Sequence, residues 1–355
     1  METTTEPHAP PLVVLSERLG GVTDVERDLE DLGAVVNGAP LWTHDDIAAH
    51  AAGAGFVILG AVETIDGAAL DLMPRLAAIV RRGIGTDNVD IAAATARGIL
   101  VANVPDASVE EVSDHALGLL LALERNVVEL DDAVRNGKWQ HDPSEVERVR
   151  APIRRMSTLT LGIVGLGRIG QALLRKSRSL YARIIAADPL MVESAARDLG
   201  AELVGVDELF GQADHISLHA PLTPDTRHLV SAATLRLVRP ATIIVNTSRG
   251  GLIDEAALAD AVAAGRLRAA GLDVTDREPI AADHLLLSSR RILVTAHSAA
   301  SSQTTKVELV GRSVEAVRAL LSGTLPASVV NPEVLRASNL RLANLRETAD
   351  GDIGT

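Results

Sequence analysis

Cysteine is absent from the 355 residues, which removes disulfides, thiolate catalysis and any cysteine-ligated zinc or iron–sulfur site. Aromatic side chains are almost as scarce: Trp42, Trp139, Phe56, Phe210 and Tyr181 are the full set. The core must then be built from Leu, Val, Ile and Ala, and stacking platforms for single-stranded nucleic acid are not expected. Positive charge is also in deficit, with 34 Lys and Arg against 47 Asp and Glu and a formal net charge of −13. Such a chain repels a phosphate backbone, so nucleic acid is not an expected partner. Long apolar runs are missing. The longest, counting glycines, are Ala51–Val62 and Ala116–Leu123, well short of the ~20 residues that span a bilayer. Met1–Pro11 carries neither the basic start nor the apolar stretch of a secretory signal. A cytoplasmic protein without membrane contact is the default expectation.

What is present fits a globular chain. It is 47% hydrophobic and 23% charged, and its length suggests about two domains at ~150 residues each. Short buried runs such as Leu12–Leu15, Gly55–Leu59 and Leu76–Val80 alternate with helical patterns up to Val104, the signature of a parallel α/β sheet. Ser108-Val109-Glu110-Glu111 reads as a capping box. Apolar positions 112, 116, 119, 120, 123, 127 and 130 then predict one helix out to about Gly137. A second alternating block starts near Thr158, with strand candidates at 159–164, 183–187, 214–219, 242–246, 268–273 and 292–294. It predicts a doubly wound sheet of about six strands. A last helix runs from about Ser302 to Leu321, and the polar residues after Pro332 read as a loose tail.

Within the second block, Thr160-Leu161-Gly162-Ile163-Val164 leads directly into Gly165-Leu166-Gly167-Arg168-Ile169-Gly170 and an amphipathic helix. The first glycine makes the tight turn, the second lets a pyrophosphate approach the backbone, and the third lets helix and strand pack closely. The helix N-terminus offers amides and positive dipole to the phosphates. The next strand candidate ends at Asp188, and 188 − 170 = 18 residues is near the spacing of a carboxylate that grips the adenine ribose. Asp188 followed by Pro189 favours NAD over NADP, since the carboxylate repels a 2′-phosphate. The competing reading of Asp188 is a helix cap.

Three more segments lie at strand ends, where open α/β sheets bind ligands. They are Asn246-Thr247-Ser248-Arg249-Gly250-Gly251, Gly271-Leu272-Asp273-Val274-Thr275-Asp276-Arg277-Glu278-Pro279, and Val294-Thr295-Ala296-His297-Ser298-Ala299-Ala300. With the glycine motif, and with Gly83–Asp90, Asn103-Val104-Pro105 and Leu218–Thr223, they resemble the D-isomer-specific 2-hydroxyacid dehydrogenases from about Leu12 to Pro332. That family includes phosphoglycerate dehydrogenases, glyoxylate and hydroxypyruvate reductases, D-lactate dehydrogenases and the C-terminal-binding corepressors.

The resemblance implies an α/β protein of two Rossmann-like doubly wound domains with a cleft between them. A flavodoxin-like substrate domain of 1–107 plus 299–335, an NAD-binding domain of 108–298 and a tail of 336–355 are expected. It implies NAD as cofactor, a small 2-keto or 2-hydroxy acid as substrate, and a homodimer through the 108–137 helix. Arg249 would bind the substrate's carboxylate and polarised carbonyl bidentately, and His297 would be the acid, with Glu278 as its partner. Asp273 matches the contact to the nicotinamide carboxamide. Arg168 and Ile169 match backbone contacts to the pyrophosphate, and Thr247 and Ser248 line the cofactor. His219, Pro221, Arg249, His297 and Ala300 are further cofactor contacts on the same basis. Ile84 and Gly85 would offer amides to the substrate carboxylate and Arg82 a positive charge, unless Arg81 and Arg82 are merely surface residues. Trp139 reaches the neighbouring subunit's site in some relatives and could equally pack a dimer.

Taken singly, Arg249, Glu278 and His297 also read as a salt-bridge partner, a solvated carboxylate and a satisfied histidine. Order and context favour the catalytic set. His215 and His219 are four apart in a strand, about 13 Å, which is no zinc pair, and no metal site is expected. His115 reads as packed rather than catalytic. The chain departs from the family at Ala296, Ser298 and Thr275, where Pro, an apolar residue and an aromatic are usual. The 355 − 332 = 23 residues after Pro332 are too few for the regulatory domain of the longer phosphoglycerate dehydrogenases. An NAD-sensing, corepressor-like binding protein is the alternative function. Formate dehydrogenase is disfavoured, because it pairs its histidine with glutamine.

Overall fold

A computed structural model describes residues 10–16 and 22–342. The chain divides into two compact units, one of residues up to Ser108 together with those from Ser302 onward, the other Val109–Ser301. Among the described residues, no helix is long and apolar enough to cross a membrane.

In the first unit the short apolar runs form β1 (Leu12–Ser16), β2 (Val35–Ala39), β3 (Phe56–Leu59), β4 (Ala78–Arg81) and β5 (Leu100–Asn103). All pairings are parallel, in the order β2-β1-β3-β4-β5, which is flavodoxin-like. β3 and β4 are buried throughout because both faces are covered, so they read as continuous apolar runs instead of alternating ones. Leu70, Met73 and Leu76 cover one face. The helix Gln303–Leu321 covers the other through Val314, Val317 and Leu320. Ser302 caps that helix by accepting from the Thr305 amide, and Gly323 closes it at φ +74°.

The stretch after Pro332, expected to be loose, is packed as far as it is described. Val334, Leu340 and Leu342 are buried in the same core. The physical reason is the edge strand β5, whose free backbone groups need partners. Asn331 Oδ1 accepts from the Val101 amide at 2.8 Å, the Val330 amide donates to Val101 O at 2.8 Å, and the Arg341 amide donates to Gly98 O at 3.0 Å. The expectation for 343–355 lies outside the described residues.

The second unit holds seven parallel strands, β6 (Thr160–Val164), β7 (Arg183–Ala187), β8 (Glu202–Leu203), β9 (His215–Leu218), β10 (Ile243–Asn246), β11 (Ala269–Leu272) and β12 (Ile292–Val294). Their order is β12-β11-β10-β9-β6-β7-β8. The strand beyond the expected six is β8, whose two residues pair with Ile185 and Ala186 and are too few to show a period. Strand order reverses at β6, between β7 and β9, and this switch point is where such sheets bind nucleotides.

The single helix expected between Ser108 and Gly137 is two, Val109–Glu124 and Val127–Arg135. The break falls at Asn126, held at φ +49°. Arg268 Nη2 donates to Glu124 O at 3.1 Å and to Asn126 Oδ1 at 3.3 Å, and Asn126 Nδ2 donates to Val149 O at 2.6 Å. These bonds satisfy orphaned groups at the end of the first helix. The apolar spacing runs on across the break, so periodicity conceals it. The cores are aliphatic, with Phe210 fully buried, while Trp42 and Trp139 are exposed at 50% and 61%.

Candidate functional site

The glycine loop follows β6. Gly165 sits at φ +92°, and a Cβ there would lie 2.8 Å from the backbone of His219 and Ala220 after β9. Only glycine allows these two strand ends to meet. A Cβ at Gly170 would lie 2.1 Å from Gly165 O, whereas Gly167 faces open space. The helix Arg168–Ser177 starts on Gly167 with no side-chain cap, which leaves its first amides for an anion. Arg168 is exposed and Ile169 half-buried.

Asp188 stands immediately after β7. Its Oδ2 accepts from the Leu166 amide at 2.7 Å and its Oδ1 from the Leu190 amide at 2.8 Å. It does not cap the following helix, whose N-cap is Val192. It ties the glycine loop to the end of β7, and each oxygen keeps a lone pair for a ribose hydroxyl.

Two buried polar atoms near these strand ends lack a hydrogen-bond partner among the protein's own atoms, His219 Nδ1 and Thr247 Oγ1. His219 Nε2 meets Ser217 Oγ at 2.8 Å, and burial pushes its imidazole down to about 4. Orphaned groups of this kind are costly unless a ligand satisfies them. With the open space at Gly167 and the poised Asp188, they fit a dinucleotide. Pro221 is exposed and Ala300 half-buried.

Beyond the sheet, backbone pairing continues past the strand ends. The Asp273 amide donates to Asn246 O at 2.9 Å, and the His297 amide donates to Asp273 O at 2.8 Å. The Asn246 side chain shapes the turn that carries Arg249: its Nδ2 donates to Arg249 O at 2.7 Å, and its Oδ1 accepts from the Ser248 amide at 3.0 Å. Ser248 Oγ donates to Leu218 O at 2.9 Å, and Arg249 Nη1 to Ser248 O at 2.6 Å. A Cβ at Gly250 would lie 1.9 Å from the Thr275 carbonyl carbon, so this turn rests directly on the backbone of the loop bearing Glu278.

His297 Nδ1 and Glu278 Oε2 are 2.6 Å apart, and Glu278 Oε1 accepts from the Thr275 amide at 3.1 Å. Burial pushes the Glu278 carboxyl up, but the bonds from His297 and Thr275 outweigh it and hold the group below its ordinary value. His297 sits at φ +48°, a conformation that costs free energy in a residue with a Cβ. Both side chains are partly exposed, at 38% and 36%. The departure at Thr275 has a local reason: its hydroxyl donates to Arg277 O at 2.8 Å and closes the turn.

Asp273 is 1% exposed. Its Oδ1 accepts from Thr295 Oγ1 at 2.5 Å and the Ser298 amide at 3.0 Å, its Oδ2 from the Ala299 amide at 2.8 Å. Burial works against this charge, yet these donors keep the carboxyl below its ordinary value. Asn246 and Thr295, which bond to the Arg249 turn and to Asp273, carried no expectation of a role, and His115, read as packed, meets Thr295 Oγ1 at 3.0 Å. Asn246 and Thr295 stand inside the recognised segments. His115 gives only the signal of a polar residue near an apolar helix face.

In the first unit, the loop after β4 turns at Gly83, φ +138°, where a Cβ would lie 1.8 Å from Arg81 Nη1. The loop is tied down through its carbonyls, Arg82 O to Arg81 Nη1 at 3.0 Å, Gly83 O to the Val104 amide at 3.1 Å and Ile84 O to Asn103 Nδ2 at 2.8 Å. Neither arginine is a surface residue: Arg81 is 6% exposed, and Arg82 is half-buried, with burial lowering its guanidinium from the ordinary value.

The family model described as D-isomer specific 2-hydroxyacid dehydrogenase, NAD binding domain, matches residues 117–299. Over 78% of its length the chain is 39% identical to a D-3-phosphoglycerate dehydrogenase of Mycobacterium leprae, of which it covers 51%. It is 36% identical to a glyoxylate reductase of Korarchaeum cryptofilum over 77% of this chain and 82% of that one. The crystal structure of the TT0316 protein from Thermus thermophilus matches with a TM-score of 0.80 and 32% identity, over 90% of this chain and 99% of that one. The chain spans about half the length of the first of these relatives. It belongs to the D-isomer specific 2-hydroxyacid dehydrogenase family, with NAD as its cofactor.

Proposed function

We propose that the protein is an NAD(H)-dependent oxidoreductase that interconverts a 2-keto acid and the corresponding D-2-hydroxy acid. The observation that carries this reading is the Glu278–His297 pair, 2.6 Å apart, at the end of the sheet that bears the dinucleotide loop. Reducing a keto acid requires a hydride, a cation for the carboxylate and polarised carbonyl, and a proton for the forming alkoxide. NADH supplies the hydride when bound.

His297 is the proton donor. Its Nδ1 is committed to Glu278, so the proton leaves from Nε2, and the Glu278 carboxylate orients the ring and balances the charge of the imidazolium. Arg249 takes the substrate's oxygens on its planar fork, its backbone held by Asn246. Ile84 and Gly85 offer amides, and Arg82 a positive charge, to a carboxylate at the loop after β4. Asp188 holds the adenine ribose and Asp273 the nicotinamide carboxamide.

We infer further that two copies pair through the helix Val127–Arg135 and the short helix Lys138–His141 that follows it. Val127, Val128, Val134 and Trp139 form the exposed apolar surface there, and such a patch favours burial against a second surface.

The test is NADH oxidation by the purified protein with glyoxylate, hydroxypyruvate, pyruvate and 3-phosphohydroxypyruvate, repeated with NADPH. Turnover on one acid should stand well above the others, with a D product where the product is chiral and slower reaction with NADPH. NADH binding without turnover on any acid would move the reading to an NAD-sensing binding protein.

A further inference from the structure

We propose that His115 is a positioning residue for the cofactor, its Nε2–H donating to Thr295 so that Thr295 in turn fixes the Asp273 carboxylate with one oxygen open to the nicotinamide carboxamide. The inference rests on the reading of Asp273 as the carboxamide ligand.

Its placement follows from helix geometry. The helix Val109–Glu124 runs against the strand direction, with Glu124 beside His215 at the start of β9. Leu119 and Leu123 of this helix lie 3.2 and 3.1 Å from where a Cβ on Gly271 of β11 would stand. His115 is one turn before Leu119 on the same face. It therefore lies over the far end of β11, where Asp273 follows the strand.

Donor counting then fixes the direction of the bonds. The Asp273 carboxylate has no proton to give, and the Thr295 hydroxyl has one, so Thr295 donates across the 2.5 Å contact to Oδ1. The Thr295 oxygen is left only to accept, and His115 Nε2 stands 3.0 Å from it and 3.5 Å from Asp273 Oδ1. Nε2 must carry the proton. Oδ1 is filled by Thr295 and the Ser298 amide, whereas Oδ2 has the Ala299 amide alone and keeps a lone pair for a further donor. A primary carboxamide supplies such a donor. A histidine that merely fills the helix face has no need of a proton on Nε2.

Two measurements test this. Long-range proton–nitrogen spectra of the wild-type protein, with the His115 ring identified by its loss in His115→Gln, should show Nε2 protonated. In NADH fluorescence titrations His115→Leu should bind about 10-fold more weakly, the order of one lost hydrogen bond to a charged network. His115→Gln, whose amide can donate, should stay within about 3-fold of wild type, and both variants should melt close to it. A bare Nε2, a His115→Leu protein that binds NADH like wild type, or a folded His115→Gln protein as weak as His115→Leu would each overturn the inference. Failure of the wild-type protein to bind NADH would overturn the reading of Asp273 and this inference together. Normal wild-type binding with an indifferent Leu variant overturns this one alone.

Discussion

His297 holds a left-handed backbone conformation at φ +48°, and two bonds stabilise it there, its amide to Asp273 O and its Nδ1 to Glu278. The same two bonds aim the ring. Glu278→Gln keeps the shape and an acceptor for the Thr275 amide but removes the charge that balances an imidazolium. It should lower turnover by about 10–100-fold with NADH affinity within a few fold, checked by steady-state kinetics beside a fluorescence titration. Beside the glycine loop, Asp188→Ala should narrow the preference for NADH over NADPH. Paired kcat/KM values measure that, and an unchanged ratio would remove Asp188 from the ribose. Asp188 was legible from its spacing to the glycine motif, whereas Glu278 and His297 were legible only through the family resemblance of the segments that carry them. The link from His115 to Thr295 was not, since the two are separated by most of the second unit's sequence.

At the scale of elements, strands were legible wherever both faces of the sheet are covered, as in β3, β4, β9 and β10. β8 was not, because two residues have no period. The helix break at Asn126 was hidden for a different reason: what ends the helix is Arg268, just ahead of β11, reaching back to Glu124 O. A network formed by Glu124, Arg154, His215 and Arg268 closes the end of the sheet opposite the glycine loop, and no local spacing could reveal it. Glu124 is fully buried, and its partners hold its carboxyl at about 2 against the cost of burial. Removing one partner from a buried charge is expensive. Arg268→Leu should therefore destabilise the protein by about 2–4 kcal/mol, measured by urea unfolding, with Arg154 preventing a larger loss.

For the whole molecule, stability should depend on pH through groups that burial keeps neutral. The His219 imidazole is lowered to about 4, and burial also lowers His215, although Glu124 opposes that shift. An unfolded histidine titrates near 6.5, so between about 6.5 and 4 the unfolded chain takes up protons that the folded chain refuses. Stability is then full above about pH 6.5 and falls as the pH drops through that window. Wild type should lose roughly 2 kcal/mol more than His219→Asn between pH 7 and pH 5, and equal losses would exclude His219 as a source. Glu124 adds a further loss between about 4.5 and 2, since its folded value is depressed. The inferred pairing of two copies predicts a dimer by light scattering, shifted toward monomer by Val128→Asp.

In the proposed mechanism His297, held by Glu278, moves the proton and makes only one of many contacts to the cofactor. Comparing wild type with His297→Asn for both NADH affinity and NADH oxidation on the best keto acid tests it most directly. The variant should show nearly equal affinity and turnover lower by about 10²–10⁴. Turnover equal to wild type in a folded, NADH-binding His297→Asn protein would contradict it.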